Sequence, residues 1–363
     1  MPSALLFCFS YGNVWLYKYL FCKGALCLTL NKKILSLLTV LIIIIGCGSI
    51  PPYVREDLSV LDEFQFADNI DHFVFYSPHQ DDETIFFAQT IQAAVAQVGS
   101  DHVSVVLLSD GAASNVQNMP EIETPLRTIV DSVQQRFSDT PLTEDELSAA
   151  KRLLFSKART NEFLAALDAQ GIAHYEIRSL PDGDLENHLG DIENIIRSKC
   201  GTEGLTAHLT YSYYFDPHSD HRTLGYALQN VSQDAGFADH NVAYCMVKME
   251  PSTLSEFYDT RLHYKKAHFR LLQDTSAYDH IAAASAEYGV RCQDMDAVTQ
   301  QIAQDLFDTM QRKNCSLLQA IETTPSVSAL RLSVGHLSVP DFFSMVDRHL
   351  SETTLVTLIH TPF

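Results

Sequence analysis

Short runs of continuous apolar residues, each followed by a stretch of helical spacing, constrain this chain more than any other feature. His72–Tyr76 (HFVFY), Val103–Leu108 (VSVVLL), His174–Ile177, Ala207–Tyr213 (AHLTYSY) and Asn241–Met249 (NVAYCMVKM) read as strands. A strand that is apolar along its whole length is buried on both faces. Between them, the spacing of apolar residues predicts helices over Glu83–Val98, Asp145–Ala169, Asn187–Lys199, His221–Ala235 and Leu254–Leu272. Buried strands separated by helices of this length make a Rossmann-like α/β fold, a mostly parallel sheet with helices on both faces. Ligands of such sheets bind beyond the carboxyl ends of the strands.

The 363 residues carry 25 Lys+Arg against 45 Asp+Glu, a net charge of −20, which argues against nucleic acid or anionic lipid head groups as partners. Residues 1–47 differ, with Lys18, Lys23, Lys32 and Lys33 and no acid. Lys32-Lys33, then ILSLLTVLIIIIG, then Cys47 has the layout of an export signal, and its apolar run is shorter than the roughly 18 residues a spanning helix needs. Residues 1–47 are therefore read as an extension plus signal, 48–69 as a tether and 70–312 as the main α/β domain. Residues 112–156 form an insertion in that domain, expected as a helical flap over the site. Residues 313–363 form a C-terminal extension with strand-like Leu330–Val334 and Leu355–Ile359. After Cys47 come Cys200, Cys245, Cys292 and Cys315, without a C-x-x-C pair; buried thiols and two disulfides both fit.

Two polar clusters fall directly after predicted strands. The first is Ser77-Pro78-His79-Gln80-Asp81-Asp82-Glu83, and the second is Asp216-Pro217-His218-Ser219-Asp220-His221. Alone, each reads as an ordinary solvated turn. At adjacent strand ends of one sheet they meet, and the crowded carboxylates of the first then need positive charge. A catalytic zinc ion, which takes three protein ligands and leaves one position open, supplies it. His79, Asp82 and His221 make such a set, leaving Asp81 free as a base.

These residues resemble the PIG-L/LmbE-like de-N-acetylases, zinc hydrolases that remove acetyl groups from N-acetylglucosaminyl compounds. The first family motif, A-H-P-D-D-E, is matched by His79–Glu83 with Gln80 for proline. The second, H-P-D-H, is matched by His218–His221 with Ser219 for proline. Ser109-Asp110-Gly111, Arg159-Thr160-Asn161-Glu162 and Pro181-Asp182-Gly183 follow the weaker features in order. The resemblance covers roughly residues 70–275. It implies zinc held by His79, Asp82 and His221, with Asp81 as general base on the zinc water. It further implies His218 over the carbonyl, stabilising the oxyanion and helping protonate the departing amine, Asp220 orienting the His218 ring, and Arg159 contacting substrate hydroxyls or phosphate. Lys265-Lys266-Ala267-His268 resembles a family helix with a histidine near the pocket. The implied substrate is an N-acetylglucosamine-type amino sugar or glycoconjugate. The alternatives are a non-catalytic glycan-binding relative and a zinc amidase acting on another amide. The stripe Tyr211, Tyr213, Tyr214, Phe215 suits either core packing or stacking on a sugar ring.

Ile44-Ile45-Gly46-Cys47 resembles a lipobox, so a lipidated Cys47 would tether an exported protein to the bacterial cell envelope, possible sites including an outer membrane. The alternative is an uncleaved anchor helped by the apolar stretch Ala4–Leu30. Residues 1–30 suit such a signal poorly, and Leu30 is the expected true initiator. Trp15 is the one tryptophan. Mature native protein processed in this way gives tyrosine-type fluorescence only, and a tryptophan signal from it refutes the scheme.

Overall fold

The computed structural model describes residues 66–137, 141–213, 216–249, 268–270, 275–338 and 356–360. The signal-like segment, Cys47 and Trp15 lie outside the described residues. The double-sided apolar runs become a sheet. β1 (His72–Ser77), β2 (Val103–Ser109), β3 (His174–Leu180), β4 (Thr206–Tyr211) and β5 (Asn241–Met249) are parallel neighbours in the order β3-β2-β1-β4-β5. β6 (His268–Arg270) and β7 (Val356–His360) extend it beyond β5 in the order β5-β7-β6, both pairings antiparallel.

Successive side chains point to opposite faces, and in β1, β2 and β4 both faces are buried, whereas β3, at the edge of the sheet, is largely exposed. Phe73, Phe75, Val105 and Leu107 pack on one side against Ile91, Ala94, Phe163 and Leu167. Val74, Tyr76, Val106 and Leu108 pack on the other against Ile192, Ile196, Leu224 and Leu228. The helices of this part of the chain are α1 (Asp82–Ile85), α2 (Ala88–Val98), α3 (Pro120–Arg136), α4 (Glu144–Ala169), α5 (Leu189–Lys199) and α6 (Ser219–Val231), of which α2, α4, α5 and α6 supply these partners. Between β6 and β7 come α7 (Thr275–Glu287), α8 (Met295–Lys313), α9 (Leu317–Thr323) and α10 (Val334–Ser338).

Several expectations change. The helix expected over Glu83–Val98 is two helices. The Asp82 carbonyl accepts the amides of both Phe86 and Phe87, which ends α1, and the Phe87 ring turns in against Phe75. The insertion is helical and packed. Its α3 and the start of α4 share an apolar core with α8 and α9, including Leu126, Ile129, Leu154, Ile302, Leu306 and Ile321. Part of the C-terminal extension belongs to that same core through Leu317, Leu330, Leu332 and Val334. Leu330–Val334 is no strand: Leu332 makes one isolated bridge to Arg291, and Ser333 at φ 58° turns the chain into α10. Alternate burial of Leu330, Leu332 and Val334 imitates a strand in an irregular segment. His268 begins strand β6 rather than sitting on a helix, and the rest of the expected Leu254–Leu272 helix lies outside the described residues. The expected strand near the end is present as β7. Cys200, Cys245, Cys292 and Cys315 are free thiols.

The placement of α6 matters most for the site. Gly225 sits where the helix crosses the end of β4; a Cβ there would meet Tyr213 N at 2.3 Å and Tyr211 O at 2.6 Å. Both are backbone atoms and cannot rotate away. The close approach carries the start of α6, with His218 and His221, up to the end of β1. Gly225→Ala forces helix and strand apart, an overpacking cost of about 1–3 kcal/mol or more. The expected outcome is a Tm lower by roughly 5 °C or more in a thermal melt, with divalent-metal uptake lost in parallel.

Candidate metal centre and active site

The site is assembled where β1, β2, β3 and β4 end. β1 delivers His79, and the turn after it holds Asp81 at the N-cap of α1, with φ 111° and ψ −28°. A positive φ of that size in a residue with a Cβ costs on the order of 1–3 kcal/mol and persists only where neighbours enforce it. Four hydrogen bonds do so. The Asp81 amide donates to Glu83 Oε2 at 3.1 Å. Arg159 Nη2 donates to Asp81 Oδ2 at 3.2 Å and to the Gln80 carbonyl at 2.8 Å. Arg159 Nη1 donates to the Gly111 carbonyl at 3.0 Å, which ties the β1 and β2 loops to α4. Burial pushes the Asp81 carboxyl up to about 7; the Arg159 guanidinium pulls it down and neighbouring Asp82 raises it.

His79 is the centre of the cluster. Its Nδ1 lies 3.1 Å from Asp82 Oδ2, and its Nε2 lies 3.2 Å from both Asp182 Oδ1 and Asp220 Oδ2. Burial disfavours charge on this ring, yet its hydrogen bonds to the carboxylates of Asp182, Asp220 and Asp82 outweigh that and hold its pKa well above the ordinary value. His221 is fixed from behind: its Nδ1 meets Asp216 Oδ2 at 3.1 Å, and its Nε2 faces Asp82 Oδ2 at 3.5 Å. Burial opposes protonation here too, but Asp82 and Asp216 carry its pKa up to about 9. Tyr211 lies against the His221 ring, centroids 4.1 Å apart, and is itself buried. The Tyr211 end of the aromatic stripe is thus a wall of the site, and Tyr214 and Phe215 lie outside the described residues.

His218 is the exposed member. Its Nδ1 accepts the Asp220 amide at 3.2 Å, so the neutral ring carries its proton on Nε2. Burial, with His79 and His221 close by, lowers its pKa. The Asp220 carboxylate does not orient this ring as expected. It is turned inward, to His79 and to the amides of Gly183 at 2.9 Å and Leu185 at 3.4 Å. Arg159 differs too. It is 4 % exposed and committed to Asp81 and two backbone carbonyls, so it acts from beneath the site rather than on an open face.

The donor set suits a divalent cation. Atoms of His79, His218 and His221 all lie within 4.8 Å of one another, as do those of His79, Asp182 and Asp220. Asp82 falls outside both groups, although its Oδ2 lies between His79 Nδ1 and His221 Nε2. Imidazole nitrogens and carboxylate oxygens are zinc donors, and a carboxylate behind a ligating imidazole is the usual outer support. The Asp216 contact on His221 has that form. The sequence did not single out Asp182 or Asp216 for the site. Asp182 could have been found through its P-D-G turn, and Asp216 through its position five residues before His221.

A comparison with curated proteins gives no match. Among solved structures, an A40926 pseudoaglycone deacetylase shares 14% identity, with 80% of this chain and 97% of that chain covered at a TM-score of 0.40. The N,N'-diacetylchitobiose deacetylase of Pyrococcus horikoshii shares 13%, with 69% and 83% covered at 0.39. The 4-carboxy-2-hydroxymuconate hydratase of Pseudomonas putida shares 15%, with 81% and 97% covered at 0.38. None of these identities transfers an activity. The family model that matches is PIG-L, described as GlcNAc-PI de-N-acetylase, over residues 74–232. That span runs from β1 through α6 and holds all the polar side chains of the cluster, so the chain carries a PIG-L family domain there.

Proposed function

We propose that the protein is a zinc-dependent hydrolase that removes the acetyl group from an N-acetylglucosamine-type amino sugar or glycoconjugate. The reading rests on one observation above the rest: a buried, strained carboxylate, Asp81, paired with Arg159 beside a cluster of imidazole and carboxylate donors. His79, Asp82 and His221 would hold the ion, with Asp82 Oδ2 within 3.5 Å of a nitrogen of each partner. Bound there, zinc acts as a Lewis acid and makes water acidic enough to ionise near neutral pH.

The chain's own residues do the rest. Asp81 takes the proton from the attacking water, a step its raised pKa suits. His218, with its proton on Nε2, donates a hydrogen bond to the carbonyl oxygen as negative charge grows on it. Asp81, now protonated, is placed to return its proton to the departing amine. Arg159 steadies Asp81 while it is charged and keeps it pointed at the site. An acid-free segment that ends at Cys47 supports export and lipid attachment, tested by radiolabelled fatty-acid incorporation that Cys47→Ala abolishes.

Zinc-loaded protein is expected to release acetate from N-acetylglucosamine compounds, and a chelator should stop it. Asp81→Asn should keep its zinc by metal analysis and lose roughly 10²-fold or more in kcat. Asp82→Ala should lose the zinc itself. Equal zinc loss in both overturns the assignment of roles. Arg159→Met tests the pairing through pH. A guanidinium favours the carboxylate form and lowers the Asp81 pKa, so removing it raises that pKa. The acid limb of kcat/KM should therefore move to higher pH in the variant.

A further inference from the structure

Glu83 is wholly buried. Its Oε2 accepts the Asp81 amide at 3.1 Å, and its Oε1 accepts the hydroxyls of Thr84, at 2.8 Å, and Tyr288. Tyr288 follows α7 and lies beyond the residues that match the family model. It is fully buried. The turn of residues 333–336 holds it in place. Ser333 Oγ and the His336 amide both donate to the Tyr288 carbonyl, at 3.3 and 3.4 Å. Gly335 lies flat on the ring, where a Cβ would meet Tyr288 Cδ1 at 2.2 Å. Glu162 in turn accepts the amides of Val334 at 2.6 Å and Gly335 at 2.7 Å. Glu162 is on α4, three positions after Arg159.

The same C-terminal turn thus reaches both partners of Asp81, through Tyr288 and Glu83 to its amide and through Glu162 to the helix that bears its guanidinium. A backbone at φ 111° relaxes once its amide acceptor is free to swing. We propose that Tyr288 is a positioning residue for the reaction: through Glu83 it locks the backbone of Asp81 in the conformation that aims its carboxylate into the site. A segment outside the family core thereby completes the active site of this chain. The proposal rests on the reading above only in taking Asp81 as the base.

Tyr288→Phe removes the hydroxyl and keeps the ring. Hydrogen exchange followed by mass spectrometry should show amides of residues 79–84 exchanging roughly tenfold faster, with strands β1, β2 and β4 unchanged. With zinc content equal to wild type, kcat should fall roughly tenfold while KM stays within about twofold. Adding Glu83→Gln to Tyr288→Phe should cost little more than either change alone, because both cut one linkage. Unchanged exchange at 79–84, a uniform rise across the chain, or additive losses overturn the proposal. If wild type releases no acetate from any substrate, the deacetylase reading fails, and the exchange measurement still decides the linkage. Should Tyr288→Phe not fold, wild-type exchange decides: opening of 79–84 together with 286–290 supports the linkage, and independent opening overturns it.

Discussion

Compensation of buried negative charge governs this molecule. Asp81, Asp82, Glu83, Asp182 and Asp220 all lie within or beside one pocket of side chains, four of them almost or wholly withdrawn from water. Unpaired carboxylates in such a place each cost several kcal/mol. The structure meets that cost in three ways. Arg159 answers Asp81, the rings of His79 and His221 answer Asp82, Asp182, Asp220 and Asp216, and Glu83 is pushed up to about 8 by burial, with Tyr288 and Thr84 donating to it. The carboxylates raise the proton affinity of both rings, and a divalent cation held among them would offset the same charge.

The sheet makes that concentration of charge possible. Parallel strands end on one side, so loops that are distant in sequence arrive together without long excursions. Asp110 shows how closely they are joined: its Oδ1 accepts the amides of Ala112 and Asp182, stitching the turn after β2 to the turn after β3. Gln80, where the family motif has proline, adds a donor that proline lacks; its Nε2 reaches the Asp110 carbonyl at 3.2 Å.

Most of the sheet was legible because a segment apolar on both faces has few places to go. His72–Tyr76 and Val103–Leu108 needed no partner to be read as strands, and β1 and β2 exceed them by one residue each. The imidazoles and carboxylates of the two clusters were legible for a different reason, since so many ionisable groups in few positions require a counter-charge. What escaped was direction. Spacing placed Asp220 beside His218 but not its side chain, which turns to His79 because the amides of Gly183 and Leu185 wait there. Arg159 looked available on a helix until Gly111 and Gln80 lent it their carbonyls. Tyr288 stands 205 residues from Glu83, and no local pattern announces a contact that only the packed helices create.

The antiparallel end of the sheet bears on how the chain matures. β7, made of Val356–His360, lies between β5 and β6 and is hydrogen-bonded to both. Strands on either side of it are synthesised first and must wait along those edges until β7 itself has emerged. Non-local pairing of this kind is slow, and its exposed edges invite association with other chains. Folding on the ribosome can therefore begin with the β3-β2-β1-β4-β5 portion, whereas the antiparallel pairings beyond β5 wait for β7, which follows every other strand of the sheet in the chain.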